Sequence, residues 1–437
     1  MGLTLNIMLP WIDAIPAIVR IMVVFVLVLL AIKRNWSLGN AFLAGSIGLG
    51  IIFGMGPLAI IRSVGGALAQ PKTMSLAVVV SLILVLSHTL EKSGQMARLL
   101  DGFKGLIRKP KVNLVIFPAL IGLLPMPGGA IFSAPMVKSL GQGHRLSPAQ
   151  LSYINYWFRH IWEYWWPLYP GILLTTALAG VDLWRLVLVT APLTIIALAA
   201  GYWPLRGSVP TPDSDSSRKA VLPFFKELAP IAFVIVFGLA CGVLFAAIFP
   251  PAVQSVSKEA GLILALFIAL FWVWQANGVG WTARWAIVGN PALVKMVYMV
   301  AAILIFKGIL EDSRAVDQVS REMLRWHIPL MPITMLLPFL VGGVAGITIA
   351  FVGTTFPILI SLIAAMGHQA MLLPYLMLAL ASGFVGVLVS PLHLCFLLSN
   401  EYFQTTLIPV YKLMRVPLLA LLIGAVVYFE VLCYWKS

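Results

Sequence analysis

Between positions 326 and 400 the chain carries no Asp, Glu, Lys or Arg. A water-soluble fold has no use for such a run, because its outward faces would present a large apolar patch to water. A bilayer removes the conflict by replacing water around those faces. Stretches 186–205, 228–257 and 260–283 also lack all four charged residue types, and one crossing helix takes roughly 20 apolar residues. The chain therefore reads as an all-α polytopic membrane protein, with the lipid bilayer as its first partner. Composition agrees: 61% of the 437 residues are hydrophobic and 10% are charged, against about 25% charged in soluble domains.

The net charge of +14 does not point to nucleic acid. The basic residues sit in short connections between apolar stretches, where they set orientation and meet anionic headgroups. Cys241, Cys395 and Cys433 lie in apolar segments without metal-like spacing and read as buried, inert thiols. No metal site and no organic cofactor is expected. The N-terminus has neither a basic leader nor a clear small-residue cleavage site, so 18–32 reads as a retained first helix.

Apolar runs and their interruptions predict an order of elements. Spans are expected at about 17–32, 38–61 and 73–90. A charged amphipathic segment at 91–111 follows, too polar to cross. The apolar stretch 112–140 is broken by Pro125-Met126-Pro127-Gly128-Gly129, a poor centre for a continuous helix, and reads as a re-entrant hairpin. A long span at 147–180 is interrupted at Pro167–Gly171, and a final span covers about 183–203. The Pro- and Ser/Asp-rich stretch 206–222 is the one clear linker, read as cytoplasmic.

After the linker the order repeats. Spans are expected at about 223–248, 257–276 and 291–309, then a charged segment at 311–325. A second hairpin at 329–365 has Gly342, Gly343 and Gly346 near its centre, a second broken span covers 370–402, and a last span about 413–434. Leu90-Glu91-Lys92-Ser93 and Leu310-Glu311-Asp312-Ser313 both end a third helix, 220 positions apart. If each hairpin fails to cross, each half (1–205 and 223–437) crosses five times, and an odd count inverts the second half. Charge supports the inversion. Segment 91–111 has six basic and two acidic residues, whereas 311–325 has three basic and four acidic. The positive-inside rule then places the first segment in the cytoplasm and both termini outside a prokaryotic inner membrane, with ten crossings.

Inverted repeats with glycine-interrupted helices are the mark of secondary transporters, because backbone that leaves helical geometry inside a membrane must be covered by protein, water or ligand. The order of three spans, hairpin, broken span and span, given twice, resembles the ion transporter superfamily, which includes divalent anion/sodium symporters, gluconate permeases and arsenite-type carriers. Pro125-Met-Pro-Gly-Gly-Ala-Ile-Phe-Ser-Ala-Pro135 and Asn155-Tyr-Trp-Phe-Arg-His-Ile-Trp-Glu-Tyr-Trp-Trp-Pro167 resemble an uncharacterised integral-membrane family within it. The resemblance implies an elevator-type carrier with a scaffold domain, through which a homodimer would form, and a moving transport domain. The Ser-Asn-Thr hairpin motif of the sodium/dicarboxylate branch is absent, which leaves substrate and coupling ion open.

Arg159, His160 and Glu163 lie well inside a long apolar span, where ionisable groups usually face a cavity or a partner. Arg159 and Glu163, four apart, are expected on one helix face. They read either as a structural ion pair or as a site in which Arg159 binds an anionic solute while His160 or Glu163 carries a proton. Asn155, one turn earlier, is a further substrate or ion ligand, or a helix–helix hydrogen bonder. The first tip offers Pro127, Gly128, Gly129 and Ser133. The second hairpin offers Gly343, Thr348, Thr354 and Thr355, whose hydroxyls either coordinate a cation or bond back to their own helix. Ser390, His393, Ser399 and Asn400 lie at or just past the second break, where His393 is a candidate for ion coupling. The expected function is secondary active transport of a small, anionic solute, coupled to H⁺ or Na⁺. A membrane-embedded enzyme and a channel are the alternatives. Neither accounts for both breaks: no H-E-x-x-H, Gly-x-Gly-Asp or paired intramembrane aspartates are present, nor a charged filter.

Overall fold

The structure, a computed structural model, describes residues 15–103, 110–123, 129–141, 146–206, 221–250 and 254–434. Among them no strand occurs, and every regular element is a helix. The chain opens with α1 (Ala17–Lys33), α2 (Leu38–Ile52), α3 (Pro57–Ala69), α4 (Pro71–Lys92) and a short helix α5 (Gln95–Phe103). Helices α6 (Pro110–Gly122) and α7 (Ala130–Gly141) flank the first tip, and α8 (Pro148–Arg159) and α9 (Pro170–Ala179) form an interrupted span. Then come α10 (Leu183–Thr190) and α11 (Leu193–Tyr202), bent where Pro192 removes a backbone donor. After the linker follow α12 (Val221–Ile248), α13 (Ser257–Ala276), α14 (Trp281–Val288), α15 (Pro291–Asp312) and α16 (Ala315–Arg325). The last group is α17 (Leu330–Ala345), α18 (Thr348–Ala365), α19 (Leu372–Val389), α20 (Leu394–Tyr402) and α21 (Leu407–Tyr434).

Among the described residues eight segments are long and apolar enough to cross a bilayer, and the chain is an integral membrane protein. Apolar side chains on the outer helices face outward with nothing to cover them but lipid: Leu188 is 73% exposed and Val236 68%. By contrast α9 and α19 are buried along nearly their whole length. The expected single helix at 38–61 is instead two. Gly54 takes a left-handed φ of +77°, and Pro57 opens α3, where its missing N–H costs nothing. Fifteen and thirteen residues long, α2 and α3 are each short for a crossing. The second hairpin turns at Gly346, φ +68°, one of the three glycines read near its centre; Gly342 and Gly343 lie inside α17. Its second arm, α18, has 18 residues and is long enough by itself to cross.

Helices α4 and α15 share a register. Each has 22 residues and begins with proline, Pro71 and Pro291, 220 positions apart. A serine hydroxyl then turns back on the third preceding carbonyl: Ser93 to Leu90 O at 3.4 Å and Ser313 to Leu310 O at 3.0 Å. A left-handed residue follows in both places, Gly94 at φ +70° and Arg314 at φ +52°.

Contacts between the two halves are exchanged reciprocally. Helix α4 packs on α13, and α15 packs on α2; α5 rests on α12, and α16 on α1; α7 meets α20, and α9 meets α18. Polar bonds follow the same exchange. In the first half Arg98 Nε donates to Glu227 Oε1 at 3.0 Å. In the second, Glu322 accepts from the first two amides of α1, Ala17 N at 2.6 Å and Ile18 N at 2.9 Å, while Arg20 donates to Gln318 Oε1 at 2.6 Å.

Candidate functional site

The broken spans meet in the protein interior. Helix α8 starts with a capping box, Ser147 accepting from Gln150 N at 3.3 Å and Gln150 Oε1 accepting from Ser147 N at 3.0 Å. It ends at Arg159, eight residues before the first proline of the expected break. His160 tightens the last turn. Its amide bonds Trp157 O at 3.1 Å, while its own Nδ1 takes the carbonyl of Tyr156 at 2.6 Å. The non-helical stretch to Tyr169 is held from outside: Trp162 Nε1 donates to Ala119 O at 2.7 Å and Tyr169 Oη to Gly122 O at 2.6 Å. Arg159 and Glu163 therefore do not share a helix face as their spacing predicts.

Glu163 instead reaches the other half. Thr348, the first residue of α18, donates its hydroxyl to Glu163 Oε1 at 2.5 Å. That carboxylate sits at the positive end of the α18 dipole, a favourable place for an anion. Its Oε2 lies 3.9 Å from His160 Nε2. His160 Nε2 in turn faces His393 Nε2 at 3.1 Å, and His393 Nδ1 meets the carbonyl of Gly346 at 2.6 Å. The guanidinium of Arg159, 2% exposed, lies against the first tip, where a Cβ on Gly129 would stand 2.3 Å from Nη2. A side chain at 129 would push the guanidinium out of this place.

One turn away, a second polar group joins α8 to α7 and α20. Asn155 Nδ2 donates to Ala130 O at 3.0 Å and to Ser399 Oγ at 2.8 Å; Ser152 Oγ donates to Asn400 Oδ1 at 2.7 Å. Among the described residues this leaves Asn155 Oδ1, an acceptor, and Asn400 Nδ2, a donor, buried with no partner. Buried polar atoms without partners are rare and mark places where a ligand, ion or water belongs.

Nine of the residues singled out in the sequence therefore fall in or beside one buried region: Gly129, Asn155, Arg159, His160, Glu163, Thr348, His393, Ser399 and Asn400. Ser390 lies at its edge, its Oγ accepting from Leu392 N at 3.3 Å, and Ser133 turns back on Ala130 O at 3.3 Å. Three do not join it. Thr354 and Thr355 spend their hydroxyls on their own helix, bonding Ala350 O and Phe351 O. Gly343 faces α19 inside α17. Pro127 and Gly128 lie outside the described residues. One participant, Cys395, reads from the sequence only as an inert thiol; it lies with His160 and His393 so that one ligand atom from each falls within 4.8 Å of the others. The only local signal was His393-x-Cys395, and its third member lies in the other half of the chain. A cavity of about 470 Å³ opens elsewhere, between α4, α9–α10 and α12–α13, and none of these residues line it.

A family profile described as a protein of unknown function, DUF401, matches residues 16–431. The chain belongs to the DUF401 family. No curated protein matches it.

Proposed function

We propose that this DUF401 protein is a secondary active transporter that moves a small anionic solute, coupled to H⁺ or Na⁺, by an elevator-type movement within the ion transporter superfamily. The observation that carries the reading is the meeting, deep in the protein, of two interrupted helices and the start of a third, with Arg159, Glu163, His160 and His393 gathered there. Ionisable groups held in a membrane interior are costly and mark substrate or ion pathways. Arg159, against the Gly129 backbone, is the group for an oxyanion. His160, Glu163 and His393 are the groups for proton coupling, and the orphaned Asn155 Oδ1 is an oxygen for Na⁺.

The shared register of α4 and α15 and the reciprocal packing support two halves related by a pseudo-two-fold axis, the inverted repeat of such carriers. The basic segment 91–111 supports a cytoplasmic position for the linker, with both termini outside. A thermal-shift screen of the purified chain against small anions, with and without Na⁺ and at two pH values, tests the reading, since a ligand of the native state raises its apparent stability. An anion that stabilises the wild type and not Arg159→Gln supports it. A panel in which no anion stabilises the chain under any condition counts against it.

A further inference from the structure

The contact between His160 and His393 is electrostatically incomplete. Each ring turns Nδ1 to a backbone carbonyl, Tyr156 O and Gly346 O, both at 2.6 Å. A carbonyl only accepts, so each Nδ1 carries the hydrogen and, in a neutral ring, each Nε2 is a bare lone pair. Two lone pairs then face each other at 3.1 Å in a place from which water is largely excluded, His160 being 3% and His393 6% exposed. Such an arrangement repels unless a cation lies between them. The Nδ1–H to carbonyl bond is also the outer-shell contact that fixes the tautomer and ring orientation of a metal-binding histidine.

We propose that His160 Nε2, His393 Nε2 and Cys395 Sγ bind one borderline d-block cation of the Zn²⁺ class. The three ligand atoms lie within 4.8 Å of one another, and all three residues are buried. Two imidazole nitrogens on one tetrahedral zinc, at bonds of 2.0–2.1 Å, stand about 3.3 Å apart, close to the 3.1 Å found here. The sulfur, at about 2.3 Å from such an ion, would sit about 3.6 Å from each nitrogen, so the site closes with about 1 Å of side-chain movement. Glu163 Oε2, 3.9 Å from His160 Nε2, is placed as the fourth ligand. Nitrogen, nitrogen, thiolate and carboxylate are donors that suit Zn²⁺ and Co²⁺ and do not suit Mg²⁺ or Ca²⁺. On binding, the thiol releases its proton to solvent. The thiolate and the Glu163 carboxylate then balance the two charges of the ion.

The site is built by both halves of the chain: His160 follows α8, whereas His393 and Cys395 open α20. The inference does not depend on the chain moving a solute; a resident ion would occupy the three groups named above for proton coupling and leave Na⁺ as the coupling ion.

The test uses Co²⁺ as a spectroscopic stand-in, added to the full-length, metal-free protein in detergent under a non-thiol reductant. Wild type should bind one Co²⁺ per chain, with the intense visible bands of a tetrahedral site and a thiolate-to-cobalt band in the near ultraviolet. Zn²⁺ should displace the Co²⁺. Cys395→Ser, nearly isosteric, should remove the near-ultraviolet band, while Cys241→Ser and Cys433→Ser keep it. His393→Gln should weaken binding by at least the roughly 10–100-fold that loss of an outer-shell partner costs. If His393→Gln does not fold, the Cys395→Ser spectrum decides alone. Wild type that is monodisperse on gel filtration but binds no Co²⁺ overturns the proposal and assigns the histidine contact to a shared proton. A near-ultraviolet band that survives Cys395→Ser overturns it as well. Neither readout involves flux, so failure here is separate from failure of the transport reading.

Discussion

Adjacent glycines in α17 should respond to alanine with opposite signs. A Cβ on Gly342 would stand 2.2 Å from Gly383 O and 2.9 Å from Val387 N, both backbone atoms of α19. One on Gly343 would come no nearer than 3.8 Å to Gly386 O, an ordinary contact. The seam is equally tight from the other side, since a Cβ on Gly386 would stand 2.1 Å from Phe339 O. Gly342→Ala therefore forces two helix backbones apart by about 1 Å, and overpacking of this kind costs about 1–3 kcal/mol. Because the clashing atoms are backbone and cannot turn aside, the upper half of that range applies; alanine recovers up to about 1 kcal/mol of helix propensity, which leaves a net loss of about 1–2 kcal/mol. Gly343→Ala keeps the propensity gain without the clash. Two kcal/mol is about thirtyfold in the folded-to-unfolded ratio, well within reach of a heating series read by the monodisperse protein that remains. Gly343→Ala should melt at or above wild type and Gly342→Ala clearly below. Equal destabilisation by both, or none by Gly342→Ala, would refute the close α17–α19 seam that carries Gly346 to His393.

Glu322→Ala removes the acceptor for the first two amides of α1. Charge-assisted bonds of this kind contribute about 1.5–3 kcal/mol each before solvent exposure reduces them, so a stability loss of about 1–3 kcal/mol and faster proteolysis near Ala17 are expected, with Glu322→Gln milder. Asp182 lies at the start of α10; burial would raise its carboxyl, but Lys258 and the amides of Arg185 and Trp184 outweigh that and hold it below the usual range. Its contribution is therefore full above the unfolded value of about 3.9 and lost as the pH falls through the lower folded value. The melting difference between wild type and Asp182→Asn should be small at neutral pH, as a partly exposed pair allows, and should vanish in acid. Reporter fusions at Ser216 and at the C-terminus should report opposite sides of the membrane; the same side would remove the inverted-repeat reading.

Hydrophobic runs and their punctuation made most of the helix order legible. The span expected at 257–276 is α13 to the residue, and the Leu-Glu-x-Ser echo located the ends of α4 and α15. What stayed hidden depends on tertiary contact. No proline or glycine marks the end of α8, because the chain leaves the helix where His160 takes Tyr156 O and where Ala119 and Gly122 receive Trp162 and Tyr169. The partnership of Glu163 with Thr348 spans 185 positions and leaves no local periodicity. Cys395 looked inert for the same reason, since a metal-like spacing appears only when His160 arrives from the other half. Gly343 was drawn into the site because glycine pairs punctuate turns, yet here Gly342 serves close helix packing, Gly343 makes only an ordinary contact, and the left-handed turn falls at Gly346.

Transport itself is the central claim, and the most direct measurement is anion accumulation by proteoliposomes containing the purified chain. Small anions are offered under an imposed H⁺ gradient and, separately, a Na⁺ gradient. The account predicts that at least one anion accumulates only when a gradient is present, and that folded Arg159→Gln does not accumulate it. Monodisperse wild type that accumulates no anion under either gradient, or Arg159→Gln that transports as wild type does, would contradict the account.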